Sequence, residues 1–347
     1  MLSALEQLIL SWFLDAIWAL PVCFVCCWLL LRVVPTLAAS TRHALWMAAL
    51  SLAFLAPFGT LLGLWGDSKT LHSNVGLAVA ARVHASRAPH LLLLILVAPA
   101  LYRAFLLLRG AISASRLVGL ATPVEPGALE CVLPMDLFLS VKRYKAKMFS
   151  TPSAISECGP FTCGVRRPCI LIPATLFISS NRQTLVSVVA HELAHVQRRD
   201  MLSHLLSEIM LVPLAFHPFS FWLRSRLAEA REMACDAHVS GLILPATDYA
   251  RCLLDVAESL NNQASPLHAL GISESATLEH RIRALVTFSL ARSRNLSAWN
   301  KCCLILAISV LLTLLLSAGR KTFLWMSAVP EPRMMRIPPP PPPPNRR

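Results

Sequence analysis

Charge is what this chain of 347 residues has little of: 15 % of it is Asp, Glu, Lys or Arg, against about 25 % in an ordinary soluble domain. Acidic residues are the scarcer sign, 19 against 32 Lys and Arg, while 55 % of the chain is apolar and the mean hydropathy is +0.58. Too few charges remain to keep every surface in water, which excludes a purely soluble protein and the secreted, fibrous and disordered classes. A disulfide framework is missing too. Five of the eleven cysteines (Cys23, Cys26, Cys27, Cys302, Cys303) lie in or beside apolar runs, where cysteine behaves as a small hydrophobe. The others fall in a segment assigned below to the reducing cytosol. Cys23 and Cys26 form a CxxC, but an apolar helix and not a βαβ unit surrounds them. Cys158, Cys163 and Cys169 lack the paired spacing of a second zinc site. Basic residues sit beside the apolar runs and are not interleaved with aromatics, so the net charge of +13 points to membrane flanks and not to direct nucleic-acid binding.

What is present begins with four apolar runs, at residues 13–34, 44–65, 90–108 and 302–319. At 1.5 Å per residue each is about 27 to 33 Å long, enough to cross the hydrocarbon core. Arg103 interrupts the third run near its end, where an arginine is expected to snorkel to the headgroups. No Lys or Arg precedes the first run, whereas Arg32 and Arg42 crowd the loop after it, so the N-terminus is expected outside. Glu6 is the sole charge ahead of that run, and a cleaved signal peptide would need a positive start. The expected division is a membrane region over 1–108, a cytosolic domain over 109–300, a fourth span at 302–319 and an outside tail at 320–347. Arg109, Arg116, Arg281, Arg283, Arg292, Arg294 and Lys301, near the ends of the domain, agree with that orientation; Lys69, Arg82 and Arg87 in the second loop run against it. The tail carries seven consecutive prolines at 338–344, a polyproline II run that cannot build a core.

The chemistry is expected in the domain. Leu185, Val186, Val188, Val189 and Ala190 lead into His191, Glu192, Leu193, Ala194 and His195 with no Gly or Pro, a helical stretch that puts both histidines on one face a turn apart. That spacing lets two imidazoles hold one Zn²⁺, with Glu192 beside them as general base. A catalytic zinc takes a third protein ligand. The metzincin solution is excluded, because Arg198 and Met201 stand where its glycine and third histidine would be. A second helical pattern, Ala228 through Asp236, offers Glu232 as that ligand, with Asp236 one turn on to accept the outer N–H of a ligating histidine. Glu229 is the rival ligand, and a solvated acidic face is the bland alternative. His204, His217 and His238 are candidates for stabilising an oxyanion, and Cys235 is expected to pack as a small hydrophobe. Upstream, Cys169, Ile170, Leu171 and Ile172 between Pro168 and Pro173 read as a short strand, either an edge that pairs with an extended substrate or a core strand.

Together these residues resemble the BlaR/MecR family of integral-membrane zinc metallopeptidases, the antirepressor type. The pieces are Thr41, Arg42, His43 and Trp46; Pro160, Phe161, Gly164, Arg167 and Pro168; His191 to His195 with Arg198, Arg199 and Asp200; His217, Pro218 and Trp222; Glu232, Cys235 and Asp236; and Arg281, Ile282 and Arg283. The resemblance implies that His191, His195 and Glu232 bind one Zn²⁺, that Glu192 is the base, and that the domain faces the cytosol of a bacterial inner membrane. It also implies self-cleavage near residues 288–295 and proteolysis of a DNA-binding, winged-helix type of transcriptional repressor. Sensor members carry a penicillin-binding domain after the fourth span; here residues 320–347 follow, so a signal is expected through a partner, the spans or the proline tail. The expected architecture is thus four transmembrane helices plus a cytosolic, mainly helical α+β zinc metalloprotease domain of the HExxH, gluzincin-like kind. Two rival readings are an HtpX/Ste24-like membrane quality-control protease, which shares HExxH and a downstream ExxxD, and a non-catalytic membrane signalling scaffold.

Overall fold

The computed structural model describes residues 4–61, 89–152, 159–261 and 272–288. Three long apolar helices come first: α1 (Ala4–Val33), α2 (Ala39–Leu61) and α3 (Pro89–Leu120). Leu, Ala, Val and Phe fill them, so every turn presents apolar surface and the backbone satisfies its own hydrogen bonds. Arg42 closes the turn between α1 and α2 by donating to the carbonyls of Leu37 and Pro35. Two stretches, Trp12–Val33 and Leu93–Leu120, are long and apolar enough to cross a membrane. The helix of the third run continues to Leu120, well past the expected end at 108. Arg103 does not snorkel outward; its guanidinium meets the carboxylate of Glu208 at 2.6 Å, because a buried anion is a stronger partner than a distant headgroup. The fourth run at 302–319 and the tail lie outside the described residues, as does the end of the second run.

The domain follows with β1 (Thr122–Pro123), α4 (Pro126–Val132), α5 (Met135–Arg143), β2 (Lys147–Thr151), β3 (Phe161–Cys163) and β4 (Cys169–Pro173). Six helices complete it: α6 (Ala174–Ser179), α7 (Arg182–Arg198), α8 (Asp200–Leu211), α9 (Pro218–Leu242), α10 (Ala246–Asn261) and α11 (Ile272–Phe288). The strands form one sheet in the order β1-β2-β4-β3, with β2 and β4 parallel and the outer pairs antiparallel. Cys169–Pro173 is therefore a core strand and not the edge. Ile170, Leu171 and Ile172 are each fully buried, as a continuous apolar run must be when both faces of a strand are covered. The two prolines sit at its ends, where they remove no central ladder bond. The edges are β1 and β3 instead. Gly164 makes the turn after β3 with φ +86°, and a Cβ there would lie 2.3 Å from the Arg167 carbonyl oxygen, so only glycine fits.

Two cores are joined by one helix. The first half of α9, through Leu223, Leu227 and Ala230, packs with Leu211 and Leu214 against α1 and α2. Its second half, through Cys235 and Val239, packs with Val189, Leu193 and Tyr249 against the sheet. α9 thus carries its carboxylates from the apolar helices into the domain at a single rigid setting.

Candidate metal centre

Helix α7 starts at Asn181, whose side chain accepts from the Thr184 N–H, and it stops at Arg199, which adopts the left-handed conformation with φ 57°. Between these limits Val188, Val189, Leu193 and Ala194 bury one flank. The other flank presents His191 and His195, with ring centroids 4.9 Å apart and planes nearly perpendicular. From α9, Glu232 Oε2 comes within 3.3 Å of His191 Nε2 and 3.8 Å of His195 Nε2. The two Nε2 atoms and one carboxylate oxygen lie within 4.8 Å of one another, a donor set that suits a single divalent cation. They face a cleft of about 530 Å³ whose walls include Phe161, Thr162, Glu192 and Tyr249. Glu192 is 4 % exposed, and its carboxylate accepts from the Thr162 hydroxyl at 2.7 Å.

The BlaR1 peptidase M56 family pattern matches residues 12–285, most of the chain. The chain belongs to the BlaR1 peptidase M56 family. Among curated proteins none matches it. The family confirms the resemblance read from the motifs, and it makes this chain a peptidase associated with a membrane.

In this M56 peptidase the outward nitrogens of both histidines are held by partners on neighbouring helices. His191 Nδ1–H donates to the Tyr249 hydroxyl at 2.8 Å, and that hydroxyl donates to Asp236 Oδ1 at 2.8 Å. Asp236 Oδ1 also lies 3.4 Å from His191 Nδ1, as expected for a carboxylate one turn beyond Glu232. Arg281 clamps Asp236 with two bonds of 2.7 Å. His195 Nδ1 meets Asp200 Oδ2 at 2.9 Å, and Arg198 and the Cys235 thiol donate to the same carboxylate. Each ring is thereby oriented with Nδ1 toward its partner and Nε2 toward the cleft, the nitrogen that would ligate a metal.

The electrostatics favour a cation at the centre of this set. Burial opposes a charge on His191, yet bonds to Asp236 and Glu232 prevail and hold it up to about 9. Burial would push Glu232 up, but His191 and then His195 and Arg281 hold it well below the ordinary carboxylate range. Asp236, whose burial works the same way, is held down to about 2, chiefly by Arg281. Asp200 is also lowered against its burial, by His195 and Arg198. Burial and the Asp200 charge push the Cys235 thiol up, so it stays a donor. Cys235 therefore does more than pack.

The remaining candidates separate. Glu229 turns away to Arg226 at 2.7 Å and His280 at 2.9 Å. His217 accepts from the Phe219 N–H and caps α9, and His238 bonds Gln197 at 2.8 Å, so neither reaches the cleft. His204 does line it. Cys163 pairs with Cys169 across β3 and β4, and Cys158 is outside the described residues. Tyr249, Thr162 and the structural role of Arg281 had no signal in local spacing. Arg281, counted above as a membrane-flanking charge, is instead spent on Asp236.

Asp200→Asn keeps the shape at His195 but removes the charge that orients it. Metal affinity is expected to fall about 10- to 100-fold, read by competition with a chelator. Arg281→Met leaves Asp236 buried without its partner and is expected to cost about 3 to 5 kcal/mol. A thermal midpoint in detergent equal to that of the wild type would contradict it.

Proposed function

We propose that this chain is a zinc endopeptidase that works at a bacterial inner membrane and transmits a signal by cutting itself, a cytosolic transcriptional repressor, or both. The observation that carries the reading is the convergence of His191, His195 and Glu232 on one point, with Glu192 buried in the same cleft. His191, His195 and Glu232 would hold the ion, with Asp200, Asp236 and Tyr249 orienting the rings. When bound, Zn²⁺ supplies Lewis acidity for the scissile carbonyl and acidifies a water. A Glu192 carboxylate oxygen takes the proton from the attacking water and returns it to the leaving amine nitrogen. Thr162 holds that carboxylate in place and belongs to β3, which has no strand on its outer side among the described residues. An extended substrate pairing along Phe161–Cys163 would therefore lay its backbone across the cleft.

The proposed topology is four spans, with the N-terminus and the proline-rich tail outside and the peptidase domain in the cytosol. The test measures zinc and self-cleavage together on detergent-purified full-length protein. One zinc per chain and a fragment cut near residues 288–295 are expected; protein that binds no zinc overturns the reading. Substrate breadth is read by comparing the proteomes of cells carrying wild type and Glu192→Gln. One stabilised repressor fits a signal transducer, and many stabilised membrane proteins would move the assignment to an HtpX/Ste24-like quality-control protease.

A further inference from the structure

Helix α8 has an unusual surface for part of a soluble domain. Its most exposed residues are Leu202, Leu205, Leu206 and Ile209, each at least 39 % accessible and all apolar, while the His204 side chain, half-exposed, faces the crevice beside Glu208. Past the turn, α9 continues the band with Phe221 at 71 % and Trp222 at 51 %, and the band ends there, because Arg224, Ser225 and Arg226 are exposed. The carboxylates of the same helix point the other way. Ser207 and Glu208 are buried, and Glu208 is held at 2.6 Å by Arg103 of α3 and at 2.8 Å by Arg224 of α9. Glu208 is thus turned inward and paired, as a membrane requires of a charge at this depth.

Depth can be read from the partners. Arg103 lies inside the apolar stretch Leu93–Leu120, ten residues from its start, or about 15 Å along the helix axis. The turn between α8 and α9 packs on α1: Phe216 on Phe13 at 5.1 Å between ring centroids, and Phe219 on Phe24 at 5.2 Å. Both α1 residues fall within Trp12–Val33, the other stretch long enough to span. The apolar band of α8 and α9 is therefore level with the outward residues of α3, among them Leu101 and Phe105. A crevice of about 210 Å³, lined by His43, His204, Glu208, Arg224 and Arg231 together with Leu211 and Phe221, adjoins it, and His204 and Arg231 also line the catalytic cleft.

We infer that α8 and the start of α9, through Trp222, form a re-entrant hairpin whose outer face, Leu202, Leu205, Leu206, Ile209, Phe221 and Trp222, is covered by lipid acyl chains. Lipid is the occupant because the band continues the apolar surfaces of α1 and α3 at one depth, and a bilayer covers all of them together. The hairpin sets the metal centre at the membrane surface: Glu232 follows Trp222 by ten residues of the same helix, about 15 Å. The inference rests on α1 and α3 crossing the membrane, and its test separates the two.

The experiment places the photoreactive residue p-benzoylphenylalanine singly at Ile209, Phe221, Leu101 and Tyr144 of the full-length protein. The protein is reconstituted in phosphatidylethanolamine and phosphatidylglycerol vesicles with radiolabelled acyl chains. Phe221 and Tyr144 are already exposed aromatics, so the probe disturbs little there. Label is expected on the protein from positions 209, 221 and 101, and none from Tyr144 in the domain. Label at 101 alone overturns the hairpin and leaves the spans standing. A protein–protein adduct from 209 or 221 assigns the band to a second copy and also overturns it. No label from any position removes the membrane reading on which the inference stands.

Discussion

Glu192→Gln is expected to lower peptide-bond hydrolysis about 10²- to 10⁴-fold, the usual share of a general base. It is expected to leave zinc content unchanged. Glutamine keeps the size of the side chain and an oxygen for the Thr162 hydroxyl, so the contact at 2.7 Å survives. What it loses is the ability to take a proton from water. His191, His195 and Glu232 are untouched, and with them the donor set. The measurement is the rate of self-cleavage on a gel beside metal analysis of the same sample. A variant that cuts at the wild-type rate would remove Glu192 from the chemistry. A variant inactive in the test tube that still supports the cellular response would favour the scaffold reading, in which the metal only holds the domain together.

Glu232→Ala is expected to take the zinc content from one ion per chain to none after dialysis, whereas Glu229→Ala keeps it. Two imidazoles alone leave the ion with fewer protein ligands than catalytic zinc sites use. The contrast with Glu229 is the sharper half of the prediction. Both carboxylates stand on α9 one turn apart, and both were open as ligands from the pattern alone. The fold sends Glu229 to Arg226 and His280 and sends Glu232 to within 3.3 Å of His191 Nε2. Loss of metal in Glu229→Ala with retention in Glu232→Ala would reverse the assignment. Loss in both would call for far-ultraviolet circular dichroism: an unchanged spectrum would count against Glu232 as the sole third ligand.

Much of the centre was legible because it is local. His191 and His195 are neighbours through helix periodicity alone, and so are Glu232 and Asp236. The reading of Cys169–Pro173 stayed open for the opposite reason: a short apolar run bounded by prolines is the same string at an edge or in a core, and pairing on both sides by β2 and β3 decided it. Arg103 was read as snorkelling from the third run to the headgroups, and Arg281 as one of the charges flanking the membrane. Each is instead the partner of a buried carboxylate, Glu208 in one case and Asp236 in the other.

By itself, then, the sequence determined the helical nature of the chain, the apolar runs at 13–34 and 90–108 that fall in the two long apolar helices, and the paired histidines with a glutamate beside them. These depend on composition and on the 3.6-residue repeat, which act over one or two turns. The tertiary structure showed that Glu232, already favoured by the pattern and the resemblance, faces the histidines while Glu229 turns away, and it alone decided that β3 and not β4 is an open edge and which nitrogen each ring presents. Tyr249 lies 58 residues from the histidine it orients, and Arg281 lies 45 from the aspartate it clamps. Contacts at that separation form only when packing of α7, α9, α10 and α11 brings the helices together, and no local spacing encodes them.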